Sequence, residues 1–160
     1  MPGEREINKM IPDTVPKLFF HRVEKYKDRV ALRKKDLGIW DKITWLQYGE
    51  MVRRVGMGLV VLGLKPKDRV AIMGESRPEW LYADLGNLSA NGVSVGVYTT
   101  CSSEEVKYHL SHSEARFFFV EDEEQLDKAL EIREQLPKLE KIIVMDMKRL
   151  RFCGYRNRKY

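Results

Sequence analysis

Four short apolar runs constrain this chain more than anything else in it: Arg69 to Met73 (RVAIM), Val93 to Tyr98 (VSVGVY), Arg116 to Val120 (RFFFV) and Lys141 to Met145 (KIIVM). Each is strand-length, and FFFV and IIVM lack the apolar–polar alternation of a half-exposed strand. Such runs suit parallel strands covered on both faces. The segments between them carry helix-start signals, in which a hydroxyl or carboxylate residue is followed three positions on by Glu or Gln. Ser76 with Glu79 predicts one capping box, with a helix to about Ala90 ended by Asn91-Gly92. Ser102 with Glu105 starts a helix ending near His112. Asp122 with Gln125 starts a third, through Leu126, Leu130, Ile132 and Leu136, stopped by Pro137. Strands alternating with capped helices are the sequence form of βαβ units, so the expected fold class is α/β, with a doubly wound, mostly parallel sheet.

Before this regular part, Asp13-Thr14-Val15-Pro16 opens a helix with Leu18, Phe19, Val23 and Tyr26 on one stripe to about residue 27. Val30 to Arg33 and Ile39 to Thr44 read as two short strands around a turn at Asp36-Leu37-Gly38. Thr44 with Gln47 predicts a further capping box. Its helix places Tyr48, Val52, Val55, Leu59 and Leu62 on one face and stops near Gly63.

With 160 residues, 43% of them apolar and 33% charged, the chain has the composition of one globular domain. Its net charge of +5 is concentrated at one end. Residues 148–160 hold Lys148, Arg149, Arg151, Arg156, Arg158 and Lys159 and no acid, which leaves 23 basic and 24 acidic groups over residues 1–147. The expected division is therefore an α/β subdomain over 12–147 and a basic, disordered or frameshifted tail over 148–160. Nucleic acid is not an expected partner. The uncharged stretch Gly56 to Leu64 is far shorter than a membrane span, and MPGEREINKM has no apolar signal region. Two cysteines, Cys101 and Cys153, form neither a disulfide framework nor a CxxC site, so the expected setting is reducing and cytoplasmic.

The candidate sites are incomplete. Neither GxxxxGK[ST] nor GxGxxG follows any strand. Gly56-Met57-Gly58 lies inside a helix, where close packing is its expected role. The loop Thr99-Thr100-Cys101-Ser102-Ser103 is rich in hydroxyls but lacks the glycines and lysine of a phosphate loop; capping is its expected role. Gly74-Glu75-Ser76-Arg77-Pro78 invites comparison with the nucleophile elbow GxSxG, but its fifth residue is proline. His109 and His112, with Cys101 upstream, have no convergent further ligand for zinc. Glu121-Asp122-Glu123-Glu124 suits the positive end of a helix dipole. Catalytic, cofactor-binding and metal residues are all expected to be absent from this chain.

Several segments resemble the opening of long-chain fatty-acyl-CoA synthetases of the adenylate-forming, AMP-binding family: TVPKLFFHRVEKYKDRVALRKK, WDKITWLQYGEMVRRVGMGLVVLGLKPKDRVAIMGESRPEW and NLSANGVSVGVYTTCSSEEVKYHLSHSEARFFFVED. The resemblance runs from about residue 12 to 147, the opening minority of a full-length synthetase. Lys67 stands where the family often has glycine. It implies a parent that joins fatty acid, ATP and CoA into acyl-CoA, AMP and pyrophosphate, with Mg as a further cofactor. The TSGTTGxPKG-type ATP loop, the acidic ribose motif and the catalytic lysine would all lie beyond Tyr160. What the resemblance implies for this chain is scaffold, inactive alone and peripheral to a membrane at most. RLRFCGYRNRKY departs from the family, which suggests a frameshift or misplaced stop near codons 148–152. Two alternatives stay open: a non-enzymatic α/β interaction module with a basic docking tail, and a split enzyme completed by a separately encoded C-terminal remainder.

Overall fold

The computed structural model describes residues 12–147; the tail 148–160, with Cys153 and the proposed frameshift, lies outside the described residues. Helix α1 (Val15–Tyr26) starts at Thr14, whose hydroxyl accepts from the Lys17 amide, with Pro16 in the first turn. Strands β1 (Val30–Asp36) and β2 (Ile39–Thr44) pair antiparallel. They are joined by Leu37 and Gly38, both at positive φ (46° and 86°), as a two-residue hairpin with the right twist requires. Helix α2 (Trp45–Val61) begins in the Thr44–Gln47 capping box, both bonds of which are present. Then follow β3 (Arg69–Met73), α3 (Pro78–Ser89), β4 (Val93–Val97), α4 (Ser103–Ser113), β5 (Phe117–Val120), α5 (Glu123–Ile132), a 3-10 turn (Arg133–Gln135) and β6 (Lys141–Val144).

Strands β3 to β6 form one parallel sheet in the order β4-β3-β5-β6. Alternate residues of the two central strands serve opposite faces, as the period of two dictates. Val70, Ile72, Phe117 and Phe119 pack with Leu59 of α2 and Ala83 of α3. Ala71, Met73, Phe118 and Val120 pack with Val106 and Leu110 of α4 and with Leu126, Ala129 and Ile132 of α5. Burial on both faces explains the missing alternation, and helices on both faces make the sheet doubly wound. A third cluster, with Phe19, Val23, Tyr48, Val52 and Tyr82 buried, fixes α1 and the hairpin onto α2 and α3. Removing a fully buried ring such as Phe118 costs about 3–5 kcal/mol in cores of this kind.

Two close approaches depend on glycine. A Cβ on Gly56 would stand 2.9 Å from the Gly86 carbonyl oxygen, so α2 and α3 cross at bare backbone, while Gly58 has open space around it. The packing role expected of the Gly56-Met57-Gly58 pair thus falls to Gly56. At Gly92 a Cβ would come within 1.9 Å of the Asn87 side-chain oxygen. Asn87 is fully buried, and its amide nitrogen donates to the Ser94 hydroxyl at 2.9 Å.

The sequence expectations need several corrections. Ser76 does not cap α3: Arg77 is the N-cap residue and makes no side-chain cap bond. Pro78 at the first helical position removes one orphan amide and lessens the need for a cap, and Glu79 is drawn to Lys34 and Arg77 instead. Leu62, expected on the buried face of α2, is 44% exposed because the helix ends at Val61. Leu18 is exposed as well. The hairpin's first strand extends to Asp36, while β4 and β6 end one residue earlier than expected and β5 starts one later.

Candidate functional site

Doubly wound sheets bind ligands in the crevice outside the carboxyl ends of the strands, where the strand order reverses. Here β3 runs to β4 on one side and the chain then crosses to β5 on the other, which puts that crevice between β3 and β5. The residues that follow the strands meet there. Arg77, four residues after β3, donates from Nη1 to Glu121 Oε1 (2.8 Å), from Nη2 to Asp146 Oδ2 (3.1 Å) and from Nε to Glu79 Oε2 (3.0 Å). Glu121 immediately follows β5 and Asp146 lies two residues beyond β6, so one guanidinium ties three parallel strands together. The Glu75 amide donates to the other oxygen of Glu121 at 2.5 Å. Gly74 makes room for this: a Cβ there would stand 3.2 Å from that oxygen and 2.9 Å from the Met145 methyl. Lys34 of the hairpin donates to Glu79 at 2.8 Å, joining β1 to the same knot.

Burial opposes the charge on Arg77, but the hydrogen bonds and charges of Asp146, Glu79 and Glu121 outweigh it and hold its pKa above the usual value. Burial likewise pushes the Glu79 carboxyl up. The bond from Lys34, its own backbone amide and the charge of Arg77 bring it below the ordinary carboxylate range. Both groups are therefore ionised at neutral pH.

Beside the knot lies a cleft of about 380 Å³ lined by Leu32, Arg33, Ser76, Pro78, Trp80 and Leu81 among others. A second hollow of about 300 Å³ shares Gly74 and Trp80 with it and has Gly96 and Tyr98 on its wall. Thr99, Ser102 and Ser103 of the hydroxyl-rich loop at the end of β4 are committed internally. Thr99 donates to Glu75 at 2.5 Å, its carbonyl accepts from Lys128 at 2.8 Å, Ser102 closes the α4 capping box, and Ser103 donates to Glu131 at 2.6 Å. Asp122 accepts from the Gln125 amide as the α5 cap.

At this edge Glu75, Glu79, Glu121 and Asp146 lie beside Arg77 and Lys34, which are paired among them, while Arg33 lines the adjacent cleft and Lys128 reaches the loop after β4. Among the described residues, no three His, Cys, Asp or Glu side chains converge to hold an ion. His112 stacks on Tyr108 with ring centroids 5.7 Å apart, and His109 meets the same ring edge-on. Ser76 lines the cleft, with neither histidine in its surroundings. Sequence reasoning had no place for the Arg77 knot. Its signal was a charged residue shortly after each of three parallel strands: Arg77, Glu121 and Asp146.

Comparison with known proteins places this architecture. A family model described as AMP-binding enzyme matches residues 19–154. Long-chain-fatty-acid–CoA ligase ACSBG2 of Xenopus laevis is 39% identical over 140 residues, 88% of this chain and 19% of that protein. Long-chain-fatty-acid–CoA ligase ACSBG1 of Homo sapiens is 37% identical over 134 residues, 84% of this chain and 18% of that protein. The chain therefore spans about a fifth of the length of these curated relatives. Among solved structures, the anthranilate CoA ligase AuaEII in complex with anthranoyl-AMP superposes with a TM-score of 0.77 at 25% identity, covering 85% of this chain and 26% of that one.

Proposed function

The chain belongs to the AMP-binding enzyme family, and from that membership we propose that residues 12–147 are the first α/β subdomain of an ATP-dependent long-chain fatty-acid–CoA ligase, a scaffold without adenylation chemistry of its own. The observation that carries this reading is the Arg77 knot. The crevice in which a doubly wound sheet ordinarily takes its ligand is bridged by the protein's own ion pairs, from β3 to β5 to β6. Stabilising the charge that develops during adenylation takes cations and oriented amides aimed at the phosphates. Here Arg77, Lys34 and Lys128 are each held by an internal acceptor, which leaves Arg33 as the cation on the wall of the adjacent cleft. The part of the chain's likeness to the frog and human ligases that is relevant to function is thus a supporting wall. In a complete ligase, fatty acid, ATP, Mg and CoA would be held by residues supplied from outside this chain.

A reducing, cytoplasmic setting belongs to the same proposal. Among the described residues no helix is long and apolar enough to cross a membrane. The reading as an interaction module rests on the basic tail, which lies outside the described residues, and no observation favours it.

Fatty-acid-dependent exchange of labelled pyrophosphate into ATP tests the proposal on the purified 160-residue chain. No exchange above a protein-free control is expected. Exchange that scales with protein concentration and requires a long-chain fatty acid would overturn the scaffold reading.

A further inference from the structure

The uncharged stretch Gly56 to Leu64 has a use in the folded protein that does not require it to span anything. Gly56, Leu59 and Leu64 point into the core, whereas Met57 (69% exposed), Val60 (56%), Val61 (85%) and Leu62 (44%) stand together in solvent at the end of α2. Beside them runs an open groove of about 410 Å³ lined by Phe20, Val52, Met57, Val60 and Ala90 among others. From Met51 to Lys67 the sequence has no acidic residue and four cations, Arg53, Arg54, Lys65 and Lys67, all exposed. Arg53 lies over the Phe20 ring, 5.0 Å from its centroid, at the groove's edge. The Lys67 amide donates to the Asn91 carbonyl, next to Ala90, so Lys67 stands at the other end. Arg54 pairs with Glu50, Lys65 acts on Glu140, and Asp13 at the start of α1 is held by Lys17.

We propose that this face of α2 docks on an anionic bilayer surface, with Met57, Val60 and Val61 entering the headgroup–acyl boundary and Arg53 and Lys67 meeting lipid phosphates. Protruding aliphatic side chains rimmed by cations are the pattern of an interfacial contact. A protein partner would need hydrogen-bonding complements at about one per 100–200 Å². The groove's polar side chains are Arg53 and Ser89, and the Ser89 hydroxyl already donates to the Leu85 carbonyl at 2.6 Å. Membrane contact is thereby assigned to the folded body rather than to the basic tail, and within the proposed ligase it rests on this face of α2 staying uncovered.

Co-sedimentation of the 160-residue chain with vesicles of phosphatidylcholine, alone or mixed with phosphatidylserine, tests this. The chain is expected to pellet with the mixed vesicles and to stay in solution with the neutral ones. M57E/V61E should weaken binding to the mixed vesicles by roughly tenfold or more. R53Q/K67Q, which leaves the apolar face intact, should remove much of the preference for anionic lipid. Neutralising the tail with K148Q/R149Q/R151Q/R156Q/R158Q/K159Q should leave binding that is still sensitive to M57E/V61E. Thermal melts check that each variant folds, and R53Q/K67Q decides the matter should M57E/V61E fail to. The proposal is overturned if the tail variant abolishes binding, if M57E/V61E binds like the parent chain, or if neutral vesicles bind equally. It is also overturned if the chain forms a dimer that M57E/V61E dissociates while neither form binds vesicles.

Discussion

At the amino end of the parallel sheet, Arg116 holds Asp68 and also bonds Glu140 at 2.7 Å, while Arg69 bonds Glu114 at 2.6 Å and Lys138 reaches the same carboxylate. At the carboxyl end Arg77 holds Glu79, Glu121 and Asp146 together, with Lys34 as a second cation on Glu79. Both ends use a guanidinium to bridge residues flanking neighbouring strands, but the settings differ. The Arg116–Asp68 pair is as shielded as the Arg77–Glu121 pair, with 20% and 16% of side-chain surface in water against 18% and 15%. The outer partners Glu114, Glu140 and Lys138 keep 46–60%, however, whereas Glu79 and Asp146 keep 29% and 25%. An ion pair in water contributes little, because solvent and salt screen it. A shielded one contributes specificity of arrangement, and losing one member strands the others. The outer pairs of the amino end can therefore be undone cheaply while its Arg116–Asp68 pair cannot, and at the carboxyl end every pair helps fix the relative positions of β3, β5 and β6.

The largest expected effect is from Arg77→Ala. It leaves Glu121 and Asp146 shielded without their cation and should lower stability by about 2–3 kcal/mol in urea denaturation, the buried-pair cost reduced for partial solvent access. Faster amide exchange at Glu75 and Asp146, whose amides bond to Glu121, should accompany it. Arg116→Ala strands one shielded carboxylate, Asp68, rather than two and should cost less, about 1–2 kcal/mol. The part due to exposed Glu140 should shrink in 1 M salt, where the screening length falls to about 3 Å. Equal costs for the two substitutions would erase the distinction between the ends.

Acid should probe the carboxyl end through Glu79. Glu79 has a folded pKa below its unfolded value of 4.5. The stability it supplies is thus complete above that value and lost as pH falls through the folded one. Glu79→Gln should flatten the fall in stability below pH 4.5, measured from urea midpoints across the acid range. The smallest effect belongs to Glu114→Gln, where a well exposed carboxylate leaves the amino end: no measurable change in the urea midpoint is expected. A clear destabilisation there would show that the exposed fastening matters more than its solvent access implies.

Much of the fold was legible because it is written locally. The Thr44 and Ser102 capping boxes and the Asp122 cap are contained within four residues each, and the FFFV run states its own two-sided burial, whereas the similar IIVM run forms an edge strand that is only half-buried. Ser76–Glu79 has the same local pattern and yet forms no cap, because Lys34, 45 residues away, and Arg77 compete for Glu79. The knot was illegible for a related reason. Residues 34, 77, 79, 121 and 146 come together only once the parallel register of β3, β5 and β6 is set, and nothing in their spacing along the chain announces that. The exposed end of α2 lay between these cases: the charge-free stretch was visible, but which half of it faces water depends on where β3 and α3 pack.

The scaffold account is tested most directly by adding Mg-ATP to the isotopically labelled 160-residue chain and following its backbone amide resonances. The account predicts no saturable shift for the residues after the strands, among them Glu75, Arg77, Thr100, Ser102, Glu121 and Asp122. Saturable shifts confined to those residues would contradict it, because the carboxyl end of the sheet would then be a nucleotide site in its own right.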